Sequence, residues 1–185
     1  VSFVILFLMS LLGLSYNLNI IPSFIPPKGK VSRIRDIPGS KTILIILAWS
    51  TVTCLLPAVA GQCDPLKVMA VFGFATGLVF ARTAYFDILA MQGDRITGRE
   101  TLPILLGEKE SFKVIRYVLV ATIGLVILAG GSGLLDRSAF GLALIPLVML
   151  LLIMLFEKNS SISGVRREFI IELLFVAAGL TAAVV

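Results

Sequence analysis

Residues 85–107 read YFDILAMQGDRITGRETLPILLG, and this stretch decides how the rest of the chain is read. It sets Asp87, Asp94 and Arg95 at the end of an apolar segment, residues 66–91, that is long enough to cross a bilayer. A central Asp or Arg in a membrane helix costs about 2.5–3.5 kcal/mol on insertion scales, so such a residue usually marks a site. The stretch therefore points to chemistry at a membrane surface.

The apolar setting extends over the whole chain. Of 185 residues, 58% are hydrophobic and 15% charged, and the mean hydropathy is +1.04. Soluble domains carry about 25% charge and a near-even apolar share. An all-α, polytopic transmembrane bundle is the fold class implied. Two cysteines, Cys54 and Cys63, are too few for a disulfide framework, and the absence of histidine excludes a nitrogen-ligated zinc site and a histidine general base. A metal would be held through oxygen, and carboxylates select hard ions such as Mg2+, which bridge to phosphates.

Six segments approach the length of a spanning helix: residues 1–16, 42–60, 66–91, 112–130, 139–156 and 169–185. Breakers fall between them, among them Pro26-Pro27, Asp36-Ile37-Pro38-Gly39, Asp64-Pro65, Gly130-Gly131-Ser132-Gly133 and Asn159-Ser160-Ser161. The first, third and fifth loops hold Lys28, Lys30, Arg33, Arg35 and Lys41; Arg95, Arg99, Lys109, Lys113 and Arg116; and Lys158, Arg166 and Arg167. The second and fourth hold only Lys67 and Arg137, and Arg82 lies within the third segment. An asymmetry of thirteen to two supports a multi-pass membrane protein with its long loops on the cytoplasmic side. The net charge of +5 then reads as topology and contact with anionic lipid headgroups, not as a nucleic-acid surface. Residues 1–185 are expected to be one transmembrane domain, a fragment cut inside or beside its first helix.

Asp87 and Asp94 are seven residues apart, two turns along one helical face and about 10 Å along the axis. That separation is too wide for one ion and suits two carboxylates on separate metals, or one metal and one basic residue, around an extended anion. Gly93 can end the helix and let Asp94 fold back. Arg82 can pair with Asp87 or face an anionic substrate, and the plain reading of Asp87 is a buried ion pair with Arg82. The plain reading of Asp94 is a solvated loop carboxylate. Glu108 and Glu110 suit a helix N-terminus, Glu172 faces the bundle without an assigned role, and Met149 to Met154 read as lipid-facing filler.

The stretch resembles the second aspartate-rich motif of the UbiA family of membrane prenyltransferases. The elements are Asp87, Gly93-Asp94-Arg95, Gly98 and Thr101-Leu102-Pro103, followed by Leu105-Leu106-Gly107. The sequence DIPGSKTILIILAWS, before and within the second segment, is similar to the family's approach to its fifth helix. On that register the six segments are helices four to nine of a nine-helix bundle. Two positions depart from the family pattern. Ala90 stands where many members have a further Asp, and Tyr16 is followed four residues later by Ile20 where the family often has Lys. Lys28 or Lys30 is the candidate replacement. The first aspartate-rich motif has no match here, so the resemblance places it upstream of Val1, and the fragment by itself is expected to be inactive.

The resemblance implies an enzyme that transfers an isoprenyl group from an isoprenyl diphosphate donor to an aromatic or lipid acceptor. It implies Mg2+ on Asp87 and Asp94 and assigns diphosphate contacts to Arg82, Arg95, Tyr16 and Lys30. A transporter or channel-like bundle, with Arg82 and Asp87 lining a polar path, is the alternative from another class. It predicts charges spread over several helices, whereas these cluster in one helix and its loop. A phosphatidyltransferase would require an Asp-Gly and Ala-Arg signature with paired aspartates downstream, which is absent.

Overall fold

A computed structural model describes residues 2–16, 39–61, 63–97, 101–159 and 162–184, and among them there is helix and no strand. Helix α1 is Ser2–Ser15 and α2 is Ser40–Ser50, which continues through a π-helical turn, Thr51–Leu55, into α3, Leu56–Gly61. Then come α4, Pro65–Thr97, the short α5, Leu102–Leu106, and α6, Glu108–Gly131. A 3-10 stretch, Arg137–Ala143, leads into α7, Leu144–Lys158, and α8 is Gly164–Val184.

Four runs are long and apolar enough to cross a membrane: Ser40–Gly61, Pro65–Thr97, Glu108–Gly131 and Phe140–Lys158. Two of the six expected segments differ. The apolar run of α1 is short, and Arg166, Arg167, Glu168 and Glu172 interrupt the apolar character of α8. Large apolar side chains such as Phe3, Trp49, Leu128, Leu151 and Leu180 point outward, as a multi-pass protein in lipid requires.

Local chemistry explains the joints. Pro57 lacks an amide hydrogen, and its ring crowds the carbonyl four residues back. The ladder opens just there, and the Leu56 amide reaches back to the Thr51 carbonyl. Before α4, the Asp64 carboxylate accepts the Leu66 amide at 2.9 Å and Pro65 takes the first helical position, where its missing donor costs nothing. After α6, Gly133 turns with φ +74°, and the Leu135 amide returns to the Ala129 carbonyl at 3.1 Å, closing the helix end.

Helix α4 is the hub, packed most extensively against α6 and then α2. Both neighbours run antiparallel to it: Lys41 meets Asp87 while Ser50 meets Thr76, and Gly73 faces Leu125 while Tyr85 faces Phe112. Arg116 on α6 lies 3.6 Å from Glu157 on α7. The start of α2 and the ends of α4 and α7 thus share one end of the bundle with the starts of α6 and α8. Lys41, Arg95, Lys109, Lys113, Arg116, Lys158, Arg166 and Arg167 sit toward that end, and Lys67 sits at the other. The core joins Leu78, Tyr85 and Ile88 of α4 to Ile115 and Leu119 of α6 and Met149, Ile153 and Phe156 of α7. Met149 is 0% exposed, which corrects its reading as lipid-facing: α7 turns Met149, Ile153 and Phe156 inward, while Leu151, Met154 and Leu155 face out.

The α4–α6 contact depends on Gly77, where an added Cβ would collide with the Thr122 hydroxyl. Gly77→Ala is expected to destabilise the bundle by about 1–3 kcal/mol, the range for overpacking. Gly124→Ala, whose Cβ would meet nothing within 4 Å, should be neutral or slightly stabilising. Thermal unfolding of both variants in detergent checks the difference.

Candidate functional site

Helix α4 does not stop at Gly93. The residue is exposed, a Cβ there would touch nothing within 4 Å, and the helix runs on to Thr97. One glycine in a helix costs about 1 kcal/mol relative to alanine and does not by itself end it. Asp94 therefore stays on the helix, and seven residues return it to within about 20° of the direction of Asp87. Both are buried, Asp87 at 1% exposure and Asp94 at 7%. The expectation of two carboxylates on one face holds, and Asp94 is not a solvated loop residue.

A buried carboxylate needs compensating donors, and those of Asp87 come from the first turn of α2. Lys41 Nζ donates to Oδ1 at 3.0 Å and Thr42 Oγ1 donates to Oδ2 at 2.9 Å. Further along the same helix pair, Thr76 Oγ1 donates to Ser50 Oγ at 3.0 Å. Ser40 Oγ, on the same first turn as Lys41, and Thr101 Oγ1, before α5, are buried without a hydrogen-bond partner among the described residues. The Tyr85 hydroxyl is also buried without a hydrogen bond of normal geometry, although Arg167 is within electrostatic reach.

The expected pair of Arg82 with Asp87 is not formed. Five residues turn a helix by about 140° past a full circle, so Arg82 faces α8 while Asp87 faces α2. Arg82 Nε donates to Glu172 Oε1 at 3.0 Å, and Nη2 donates to the same oxygen. The guanidinium also lies 4.7 Å from the Phe86 ring centroid and 5.7 Å from that of Phe175. Glu172, which had no role in the sequence, is its partner. Arg95 is exposed and directs Nη2 to Met91 Sδ at 3.9 Å. Tyr16 is half-buried beyond the end of α1, and its described bond is local, from its amide to the Leu12 carbonyl at 3.1 Å. Lys28, Lys30, Gly98 and Arg99 lie outside the described residues.

The structure thus keeps Asp94 buried two turns along the same helical face as Asp87 and gives Asp87 two partners that sequence reasoning passed over, Lys41 and Thr42. Their signal was the Ser40-Lys41-Thr42 triplet at the head of an apolar segment, where the lysine reads as a topology marker. Asp87 and Asp94 offer carboxylate oxygens from α4, and Thr42 and Ser40 offer hydroxyls from the first turn of α2; these are hard donors of the type that Mg2+ would take. Among the described residues no three His, Cys, Asp or Glu side chains gather into a group that could hold a metal ion. No family model, curated protein or solved structure matches this chain.

The two ion pairs make separable predictions. A double-mutant cycle on Arg82 and Glu172 is expected to show a coupling of about 0.5–3 kcal/mol, as residues in contact do. The cycle on Arg82 and Asp87 should be additive within about 0.5 kcal/mol. Chemical or thermal unfolding of the single and double variants measures both.

Proposed function

We propose that this protein is an integral membrane prenyltransferase of the UbiA type, which moves an isoprenyl group from a diphosphate donor to an acceptor, preferably an aromatic one. The observation that carries this reading is the placement of Asp87 and Asp94. Both are buried on one face of an apolar helix, at the end of the bundle where the basic residues gather. That combination suits the anionic head of a lipid-soluble donor held at the mouth of a greasy bundle. By the distribution of basic residues this mouth faces the cytoplasm.

Each part of the chain has a task in this reaction. Asp87, oriented by Thr42, and Asp94 hold the donor's head through Mg2+, which when bound supplies Lewis acidity and a clamp on the leaving group. By the resemblance, Lys30 and Tyr16 serve the outer phosphate charge, and Arg95 joins them on leaving Met91. Arg82 reaches the diphosphate only by leaving Glu172. The allylic carbon–oxygen bond breaks with its electron pair on the diphosphate, an acceptor carbon attacks the resulting cation, and the acceptor then loses a proton. Apolar helices accommodate the prenyl tail and exclude the water that would quench the cation.

A transporter would use Arg82 and Asp87 along one polar path. The two side chains face different helices, α8 and α2, so the geometry does not favour that reading.

The test uses the full-length protein, because the resemblance calls for a first aspartate-rich motif, which has no match in residues 1–185. Asp87→Ala and Asp94→Ala are each expected to lower prenyl transfer by at least about 100-fold, the upper range for disturbing residues around a metal, across a Mg2+ titration. Full activity in both variants would refute the assignment. Solute or ion flux in proteoliposomes without any prenyl donor would favour the transporter.

A further inference from the structure

The two members of the Lys41–Asp87 pair are held very differently. Asp87 is 1% exposed and keeps a second bond from the buried Thr42, so its carboxylate is fixed. Lys41 is about half exposed on its side chain and touches the carboxylate through one bond at 3.0 Å. A lysine carries a compact charge on a flexible four-carbon stem. It can therefore withdraw toward water without any movement of α2 or α4, whereas Asp87 cannot follow it.

Withdrawal alone is unfavourable, because it leaves a buried carboxylate uncompensated. It becomes feasible when another cation takes over Oδ1, and Thr42 preserves the orientation of the carboxylate throughout. The released ammonium then stands at the same mouth, where an arriving diphosphate brings the negative charge it has just lost. The docking of α2 on α4 does not rest on Lys41 alone. The Thr42 hydroxyl already ties the two helices at this height, and a purely structural cation would be enclosed, as Arg82 is between two aromatic rings.

We propose that Lys41 is a substrate-binding residue stored on Asp87, released to the donor's diphosphate when a divalent cation takes the carboxylate. This inference rests on the prenyltransferase reading and adds to it a residue assigned until now only to topology. It involves no covalent step: one ion pair is exchanged for two.

Binding measurements on the full-length protein in detergent test it, with Mn2+ as the spectroscopic probe and inorganic pyrophosphate in place of the donor. Removing a positive charge beside a metal ligand shifts affinity by one or more powers of ten. Lys41→Gln is therefore expected to bind Mn2+ about tenfold more tightly without pyrophosphate, and to bind pyrophosphate with Mn2+ about tenfold more weakly. Lys41→Arg should stay close to the original protein in both. Unchanged or weaker Mn2+ binding in Lys41→Gln overturns the exchange while leaving the enzyme assignment standing. Failure of the unsubstituted protein to bind Mn2+ overturns both. Should the glutamine variant not fold, the unsubstituted protein carries the test through the rate at which an amine-reactive reagent labels Lys41. Mn2+ should raise that rate severalfold and added pyrophosphate should suppress it; an unresponsive rate overturns the proposal.

Discussion

The buried charge of Asp87 is the constraint on which the packing of the basic end depends. A carboxylate at 1% exposure in an apolar bundle is tolerated only where donors meet it, and both described donors stand on the first turn of α2. That requirement sets the height at which α2 docks on α4. The Ser50–Thr76 bond is a second pin on the same seam. From Lys41 to Ser50 along α2 is about 14 Å, and from Asp87 back to Thr76 along α4 is about 16 Å, so two antiparallel helices satisfy both pins without slipping.

Helix α4 accommodates this seam because its remaining faces do other work. Small residues at Gly73 and Gly77 let α6 approach closely, and Tyr85 closes an aromatic contact with Phe112 and Phe156. Arg82 and Phe86 turn to α8. A helix covered on several sides needs no single apolar stripe, which is why its polar residues can be read only against the neighbour each one faces. Its 33 residues extend about 50 Å, well beyond a hydrocarbon core of about 30 Å. Asp94 can therefore lie on the same continuous helix as Asp87 and still reach the headgroup level.

Much of this was legible from residue order. Apolar runs, the proline and glycine breakers and the lopsided lysines and arginines locate most helices, and a spacing of seven puts the two aspartates on one face. What sequence left open was partner choice. Arg82 lies five residues from Asp87, yet its partner is ninety residues away at Glu172, a contact fixed only when α8 packs on α4. Lys41 was counted with a loop because lysines before apolar segments usually set topology, and nothing local reveals a carboxylate waiting across the interface. Met149 was misread for a related reason. In a run as apolar as residues 144–156, composition does not distinguish the lipid-facing side from the core side.

The two ion pairs of α4 also show why charge at membrane depth has to be read together with its enclosure. Arg82 gives two donors to one carboxylate oxygen and lies against two aromatic rings, so displacing it breaks several contacts at once. These contacts join α8 to α4. Lys41 gives one donor and has water on its other side, so a competing cation has only one contact to replace. The deeper-looking arginine is therefore the more firmly held of the two, and the lysine at the helix entrance is the more readily displaced.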